Sequence, residues 1–528
     1  MAKILQSLII CTFALFLVFA AGCTQPETVP QASVEINGDS SGDLVVWEDT
    51  CPFFECGNES AYEEIMAAPF ADLVENMTGV ADYSNLSRSS AFLSLNSLMD
   101  ERYAFKDWRA VDFDALYNMY APLVAAAEGN HDEAAYYLAL REYLYSIPDG
   151  HVSVIPVSGD YSIRNAEIGG SYGIGLIQLD SGKVIIDYVA ERSEAESAGI
   201  AFGNEVLAWN GEEIHDAINS TPYLWAEKKP STTEGIRLHR QRLLTRAPVG
   251  TTAVVSFTDS AGNARAVNLT AFDDDYEGLK KTSFFLGMGV NDYGAEHPWA
   301  DVVPQMSSGL VSSRILPGGY EYIAIYEESY GAYEPFKVAM LSAIENDTPG
   351  IVLDFRYNNG GDDNLAACFA GWFVEKPVFY EFTTTYDPGT RGFTTVSEAW
   401  VSPRPERYTG PVAVLVSPDT ISSGEGIPMV FSNTGRGKII SWYGTNGAFG
   451  MNNVQAIMPP GMYIMFPDGA SLDDNGEIQV DSNVDLVGGI SPDIRVPLDK
   501  DTVSRAMNGE DVQLTYAMEW LVKQQGFL

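Results

Sequence analysis

Positive charge is what this chain lacks most. Its 31 Lys and Arg stand against 72 Asp and Glu, a formal net charge of −41. Such a surface repels nucleic-acid phosphates and anionic lipid headgroups, which excludes both as charge-driven partners. Cysteine is also scarce, with five in 528 residues, too few for a disulfide-stapled scaffold. No second Cys pair or close His accompanies Cys51 and Cys56, so a zinc site is not expected, nor is any other metal or cofactor. The apolar run at residues 8–21 falls short of the ~20 residues a spanning helix needs. No segment repeats.

What remains is ample material for folded domains. A hydrophobic content of 46% with 12% aromatics excludes a disordered chain, and 528 residues exceed what one ordinary core accommodates. Residues 1–22 are a targeting segment: Lys3, the apolar run, then Ala20-Ala21-Gly22-Cys23. Small residues before a cysteine read as a lipoprotein signal with Cys23 lipidated, which tethers the protein to a membrane. An ordinary secretory signal and an uncleaved anchor are the alternatives, and all three export the chain to the cell envelope. In that setting Cys51 and Cys56 form a small disulfide loop, while Cys368 reads as a small buried apolar residue without a partner.

Residues 23–59 read as a tether, rich in Pro, Gly, Ser and Thr to about Asp43. Residues 60–165 carry helical spacing, including the amphipathic run through Ala134-Ala-Tyr-Tyr-Leu-Ala-Leu-Arg-Glu-Tyr-Leu. Pro148 and Gly150 stop that helix, which leaves His151 at a helix-to-strand corner, where a side chain can be aimed into a cleft. Residues 168–272 turn β-rich. Tyr172-Gly173-Ile174-Gly175-Leu176 and Ser197-Ala198-Gly199-Ile200 before Gly203 resemble a PDZ domain, whose loop N–H groups form an anion nest beside a strand edge that accepts peptide. A small β-domain with no ligand is the plain alternative. An acidic linker spans 273–300. In 301–528 apolar runs at 322–326, 350–355 and 412–416 alternate with helical stretches, the pattern of an α/β layered domain.

The run at 412–416 suits a strand buried on both faces. After it come Thr420-Ile-Ser422-Ser423-Gly424-Glu425 and a short helix. A serine there lies beside a helix N-terminus, where backbone N–H groups can hold an oxyanion; the same residues also serve as ordinary caps. Two further glycine-rich elements accompany it: Asp354-Phe-Arg-Tyr-Asn-Asn-Gly360-Gly361, and a loop ending Phe449-Gly450-Met451-Asn-Asn-Val-Gln455. Gly488-Gly-Ile-Ser-Pro-Asp493 completes the set.

Together and in this order, these elements resemble the tail-specific, or C-terminal processing, serine protease family, which includes the tricorn core protease. The resemblance covers roughly residues 61–528. It implies a multidomain α+β, α/β chain with a ClpP/crotonase-like catalytic domain, Ser422 as nucleophile, and oxyanion donors at Ser423 and at Gly360 or Gly361. The loop Gly173, Ile174, Gly175, Leu176 and Gln455 would contact a polypeptide substrate. One departure stands out. The processing proteases place a lysine base where this chain has Met451, which cannot take a proton. The tricorn-like branch uses a histidine instead, and Asp149-Gly150-His151 stands in the comparable place. Its supporting acid would be Asp485, with Asp149 as a turn cap and Glu425 serving the helix N-terminus. The expectation is an exported serine endopeptidase; an inactive peptide- or ligand-binding lipoprotein on the same fold, and a hydrolase of non-peptide esters, are the alternatives. Oligomeric state is not readable from the chain.

Overall fold

The computed structural model describes residues 79–156, 160–282 and 310–526. The signal, the tether and Cys23, Cys51 and Cys56 lie outside these residues. Cys368 is disulfide-bonded. This corrects the expectation that it has no partner.

The largest sheet is six-stranded, in the order Val311–Leu316, Tyr320–Ile325, Ile351–Asp354, Val412–Leu415, Lys438–Ser441, Ile494–Arg495. The first pair is antiparallel and the rest are parallel. Side chains alternate between two cores, because successive residues of a strand point to opposite faces. Ile323, Ile351, Leu353, Val412, Val414 and Ile439 face helices Tyr330–Glu345, Asp363–Ala370 and Ser423–Thr434. Tyr322, Val352, Ala413, Leu415 and Ile440 face helices Lys500–Met507 and Val512–Gln525. Burial on both faces explains why these strands read as unbroken apolar runs.

A second sheet of antiparallel strands, in the order Ala264–Thr270, Thr252–Thr258, Glu205–Trp209, Val184–Val189, Ile174–Gln178, encloses its own core around Ile186, Val206, Val255 and Phe257. Helix Thr233–Leu243 joins it to the large sheet: its Leu238 enters the core shared with Ala413 and Leu415. Beyond this sheet Arg246 pairs with Asp274 at 2.8 Å and helix Glu277–Lys281 follows, so residues 273–282 are folded.

A third sheet is built from both ends of the chain. Its order is Ala81–Asp82, Met451–Met458, Met462–Gly469, Ser153–Ile155. Helices Arg88–Arg102, Phe113–Asn130 and Glu133–Tyr145 share a core with it through Phe92, Leu95, Val124, Tyr143 and Leu144, together with Ala456, Ile464 and Phe466. Asp112 caps the second helix, accepting the Ala115 N–H at 2.9 Å. No helix among the described residues is long and apolar enough to cross a membrane.

Candidate active site

Helix Ser423–Thr434 starts directly after the buried strand Val412–Leu415 and a polar turn. The residue before it, Ser422, holds φ 59° and ψ −141°, a region that L-residues other than glycine enter only under strain. Its N–H donates to the Ala448 carbonyl (2.9 Å) and its carbonyl accepts from Glu425 N–H (2.7 Å). The serine is therefore gripped on both sides, its side chain makes no capping hydrogen bond, and it is half-buried. Strain held by the surroundings in this way is a mark of a functional position. No hydrogen bond among the described residues uses the N–H of Ser423, as expected for the first turn of a helix.

The turn after strand Ile351–Asp354 supplies the opposite wall. Gly360, at φ +84°, lies so near the serine that a Cβ on it would fall 2.5 Å from Ser422 Cβ and 3.1 Å from Ser422 Oγ. Its N–H is already committed to Asn358 Oδ1 at 2.7 Å. Of the two glycines expected as oxyanion donors, Gly360 is thus occupied, while no hydrogen bond among the described residues uses the Gly361 N–H. The Gly361 carbonyl receives Ser423 Oγ at 2.8 Å. Asn358 is fully buried and also donates to the Ile325 carbonyl (3.0 Å) and Glu328 Oε1 (2.7 Å). The Asp-x-Arg part of this motif is structural: Arg356, fully buried, bonds Asp354 and Asp511 through its guanidinium.

The third wall is the loop 444–450, fastened by Glu425. This carboxylate, fully buried, accepts from Thr445 Oγ1, Gly447 N–H (2.9 Å) and Ala448 N–H (3.0 Å). Burial pushes its pKa up to about 8, against the pull of those donors. Its work is therefore to fix the loop whose Ala448 carbonyl holds Ser422. Met451 is buried at the start of strand Met451–Met458, and Gln455 is buried at that strand's irregularity between Val454 and Ala456. Lys438 lies on its own strand, paired with Asp493 at 3.3 Å.

His151 sits on the turn between helix Glu133–Tyr145 and strand Ser153–Ile155, and this turn packs on the serine loop. A Cβ on Gly150 would lie 2.9 Å from Ile421 Cδ1 and 3.1 Å from Ala448 Cβ. The His151 ring is buried and its Nδ1 has no hydrogen-bond partner among the described residues. Burial pushes its pKa down to about 4, with nearby Asp149 opposing and Arg109 adding to the fall, so the ring is neutral near pH 7.

Around the turn lies a buried network that local sequence patterns do not disclose. Asp149 accepts Tyr103 OH on Oδ2 (2.7 Å) and the His151 N–H on Oδ1 (2.9 Å). Burial raises its pKa, but Arg109, His151 and these hydrogen bonds outweigh that and hold it below the ordinary value. Arg109 lies 3.7 Å from Asp149 and 3.5 Å from Asp481, and donates to the Pro148 carbonyl and Ser482 Oγ. Asp481 accepts the Phe449 N–H at 3.0 Å. Asp485 does not join them: it is exposed, with its N–H bonded to Asn483 Oδ1 and its carbonyl to Thr233 Oγ1. The buried acids at the turn are Asp149 and Asp481.

The expected peptide-end loop lies apart, on the second sheet. Gly173 has φ +74° and donates to Ser171 Oγ, and Ile174, Gly175 and Leu176 are buried. The Thr282 methyl would lie 2.3 Å from a Cβ on Gly175. Among the described residues no cluster of three His, Cys, Asp or Glu could hold a metal ion.

A strained serine at a helix N-terminus, free N–H groups on either side of it and a neutral histidine on the adjoining turn are the parts of a hydrolase. Residues 320–496 match the model of peptidase family S41. The chain carries an S41 peptidase domain. Ser422, Gly360, Gly361 and Glu425 all lie within the matched residues. Among solved structures the chain is similar to mature CPAF in complex with lactacystin, at 12% identity and TM-score 0.54, covering 83% of this chain and 99% of that one. It is also similar to mature CPAF alone, at 14% identity and TM-score 0.54, covering 83% and 96%. At that identity the likeness is one of fold, and it extends well beyond the S41 domain. Nothing among curated protein sequences matches the chain.

Proposed function

We propose that this protein is an exported serine endopeptidase, tethered to the membrane through lipidated Cys23, that cleaves polypeptides by Ser422–His151 chemistry. The observation that carries the reading is the packing of the Gly150–His151 turn on Ile421 and Ala448, the two residues that flank and grip the strained serine. Ser422 Oγ attacks the peptide carbonyl, and the neutral imidazole takes the hydroxyl proton and returns it to the leaving amine. The N–H groups of Ser423 and Gly361 receive the negative charge that develops on the carbonyl oxygen. Water then releases the acyl group by the same proton route. Asp149 acts on the imidazolium through charge and on the turn through its bond to the His151 N–H.

In this reading the second sheet is the PDZ-like domain and captures a peptide end at Gly173–Leu176, with Thr282 and helix Glu277–Lys281 lifting from strand Ile174–Gln178 to admit it. Gln455 is the remaining substrate contact of the proposal. A second reading, a binding protein without catalysis, is favoured by Met451 in the lysine place and by the absence, among the described residues, of a partner on His151 Nδ1. A fluorophosphonate probe separates the two. Labelling confined to Ser422, together with loss of polypeptide cleavage in folded Ser422→Ala and His151→Ala, is the expected result. Peptide binding without labelling or turnover would leave the binder.

A further inference from the structure

Between helices Ile214–Ser220 and Thr233–Leu243 the chain runs through residues 221–232 with no regular structure, yet it crosses the site just described. We infer that this strap holds the His151 turn in register with the Ser422 loop, and that Lys228, Lys229 and Ser231 are positioning residues for the reaction; the inference rests on the Ser–His reading above.

Ser231 is fully buried. Its Oγ accepts the Gly150 N–H at 2.7 Å and donates to Asn446 Oδ1 at 2.9 Å. Asn446 in turn donates its N–H to the Thr420 carbonyl (2.9 Å) and its amide to the carbonyls of Pro418 (3.0 Å) and Lys229 (3.2 Å). One hydroxyl and one amide therefore connect the residue before His151 to the turn that ends in Ser422. The Ser231 carbonyl receives Ser482 Oγ at 2.7 Å, and Ser482 Oγ receives Arg109, so the acid–arginine network is tied to the same strap.

The two lysines repeat the pattern on either side. Lys229 donates to the Leu144 carbonyl (2.6 Å) and the Val152 carbonyl (3.1 Å), closing the turn that carries His151 from both ends. Lys228 donates to the carbonyls of Asn358 and Asp419, which joins the Gly360–Gly361 turn to the serine turn. These amino groups, whose pKa burial lowers, spend their hydrogen bonds on backbone carbonyls. Burying Lys229 for that purpose forfeits hydration that a surface lysine keeps, and a neutral side chain of similar length would fill the space without the loss. What the amino group adds is a fixed distance between segments far apart in sequence. Catalysis depends on such distances: a shift of ~1 Å between reacting groups costs about 10²-fold in rate.

The test compares Ser231→Ala and Lys228→Met with the wild-type chain. Wild-type labelling at Ser422 by fluorophosphonate is measured first, then kcat, KM and Tm of each protein on an unstructured polypeptide. The inference expects kcat to fall about 10- to 100-fold with KM within about threefold and a cooperative unfolding transition retained. Wild-type kcat in both variants overturns it while leaving the Ser–His reading intact, as does a lowered Tm with unchanged kcat for the folded protein, which would make the strap a packing element only. A wild-type chain that takes no label removes the enzyme reading and this one with it.

Discussion

The His151 ring lies beside Asp149 and Arg109, and burial dominates its titration. Its pKa is lowered from 6.5 to about 4, so the neutral form, which on the proposed reading accepts the serine proton, persists well into the acid range. The kcat/KM of the wild-type enzyme is therefore expected to hold from neutrality down to about pH 5 and to fall only near 4, whereas an exposed histidine would give a limb near ~6.5. A rate profile on one peptide substrate measures this, and an acid limb near 6.5 would contradict it. The linkage runs the same way: the unfolded chain takes up a proton here before the folded chain does, so stability is lost as pH falls through that window. Sequence pattern drew Ser422 and His151 forward as candidates, because one follows a buried strand and the other a helix stop. Arg109 and Asp481 were hidden, since the Arg109–Ser482 contact spans 373 positions and neither residue sits in a local motif. Asp485 was favoured by its nearness to Gly488 and Gly489, and linear nearness did not place it at the turn.

One buried cation ties two elements of the catalytic layer together. Arg356 follows strand Ile351–Asp354 and reaches Asp511, the cap of helix Val512–Gln525. The Asp354–Arg356–Asp511 group thus pins the last long helix to the strand that leads into the Gly360 turn, and Tyr322 OH adds a bond to Asp354 at 2.7 Å. Arg356→Met would leave two carboxylates buried without their cation. The expected loss is about 3–5 kcal/mol of unfolding free energy, since a buried pair broken on one side leaves an uncompensated charge. Urea unfolding measures it, and a loss under about 1 kcal/mol would show that the helix docks by its apolar face alone. The strands of this layer were legible because burial on both faces leaves an unbroken apolar signature. The strap at 221–232 was not: its polar groups are spent on partners such as Asn446, 215 positions away.

Elsewhere in the molecule two acid groups, Glu328 and Glu381, are buried and form no ion pair among the described residues. Glu328 is fully buried, its Oε2 has no partner among the described residues, and burial raises its pKa to about 8. Burial likewise raises Glu381 to about 7. Both are raised in the folded state above the ordinary 4.5, so the stability they contribute is fully present below that value and lost as pH rises through about 7 to 8. Glu328→Gln, which keeps an oxygen for Asn358, is expected to flatten the loss. Its urea midpoint should match wild type at about pH 5 and exceed it at about pH 8.5, where wild-type Glu328 must ionise in a dry setting. Equal midpoints at both pH values would contradict this.

The sheet shared by the two ends of the chain has a further consequence. Among the described residues, strand Ser153–Ile155, which follows His151, pairs with Met462–Gly469 alone, made some three hundred residues later. A ribosome must therefore deliver nearly the whole polypeptide before the strand beyond the histidine turn has its neighbour. On the proposed reading, a half-synthesised copy has neither the serine nor a seat for its base, and the newborn chain leaves the cytoplasmic machinery unable to cut what surrounds it.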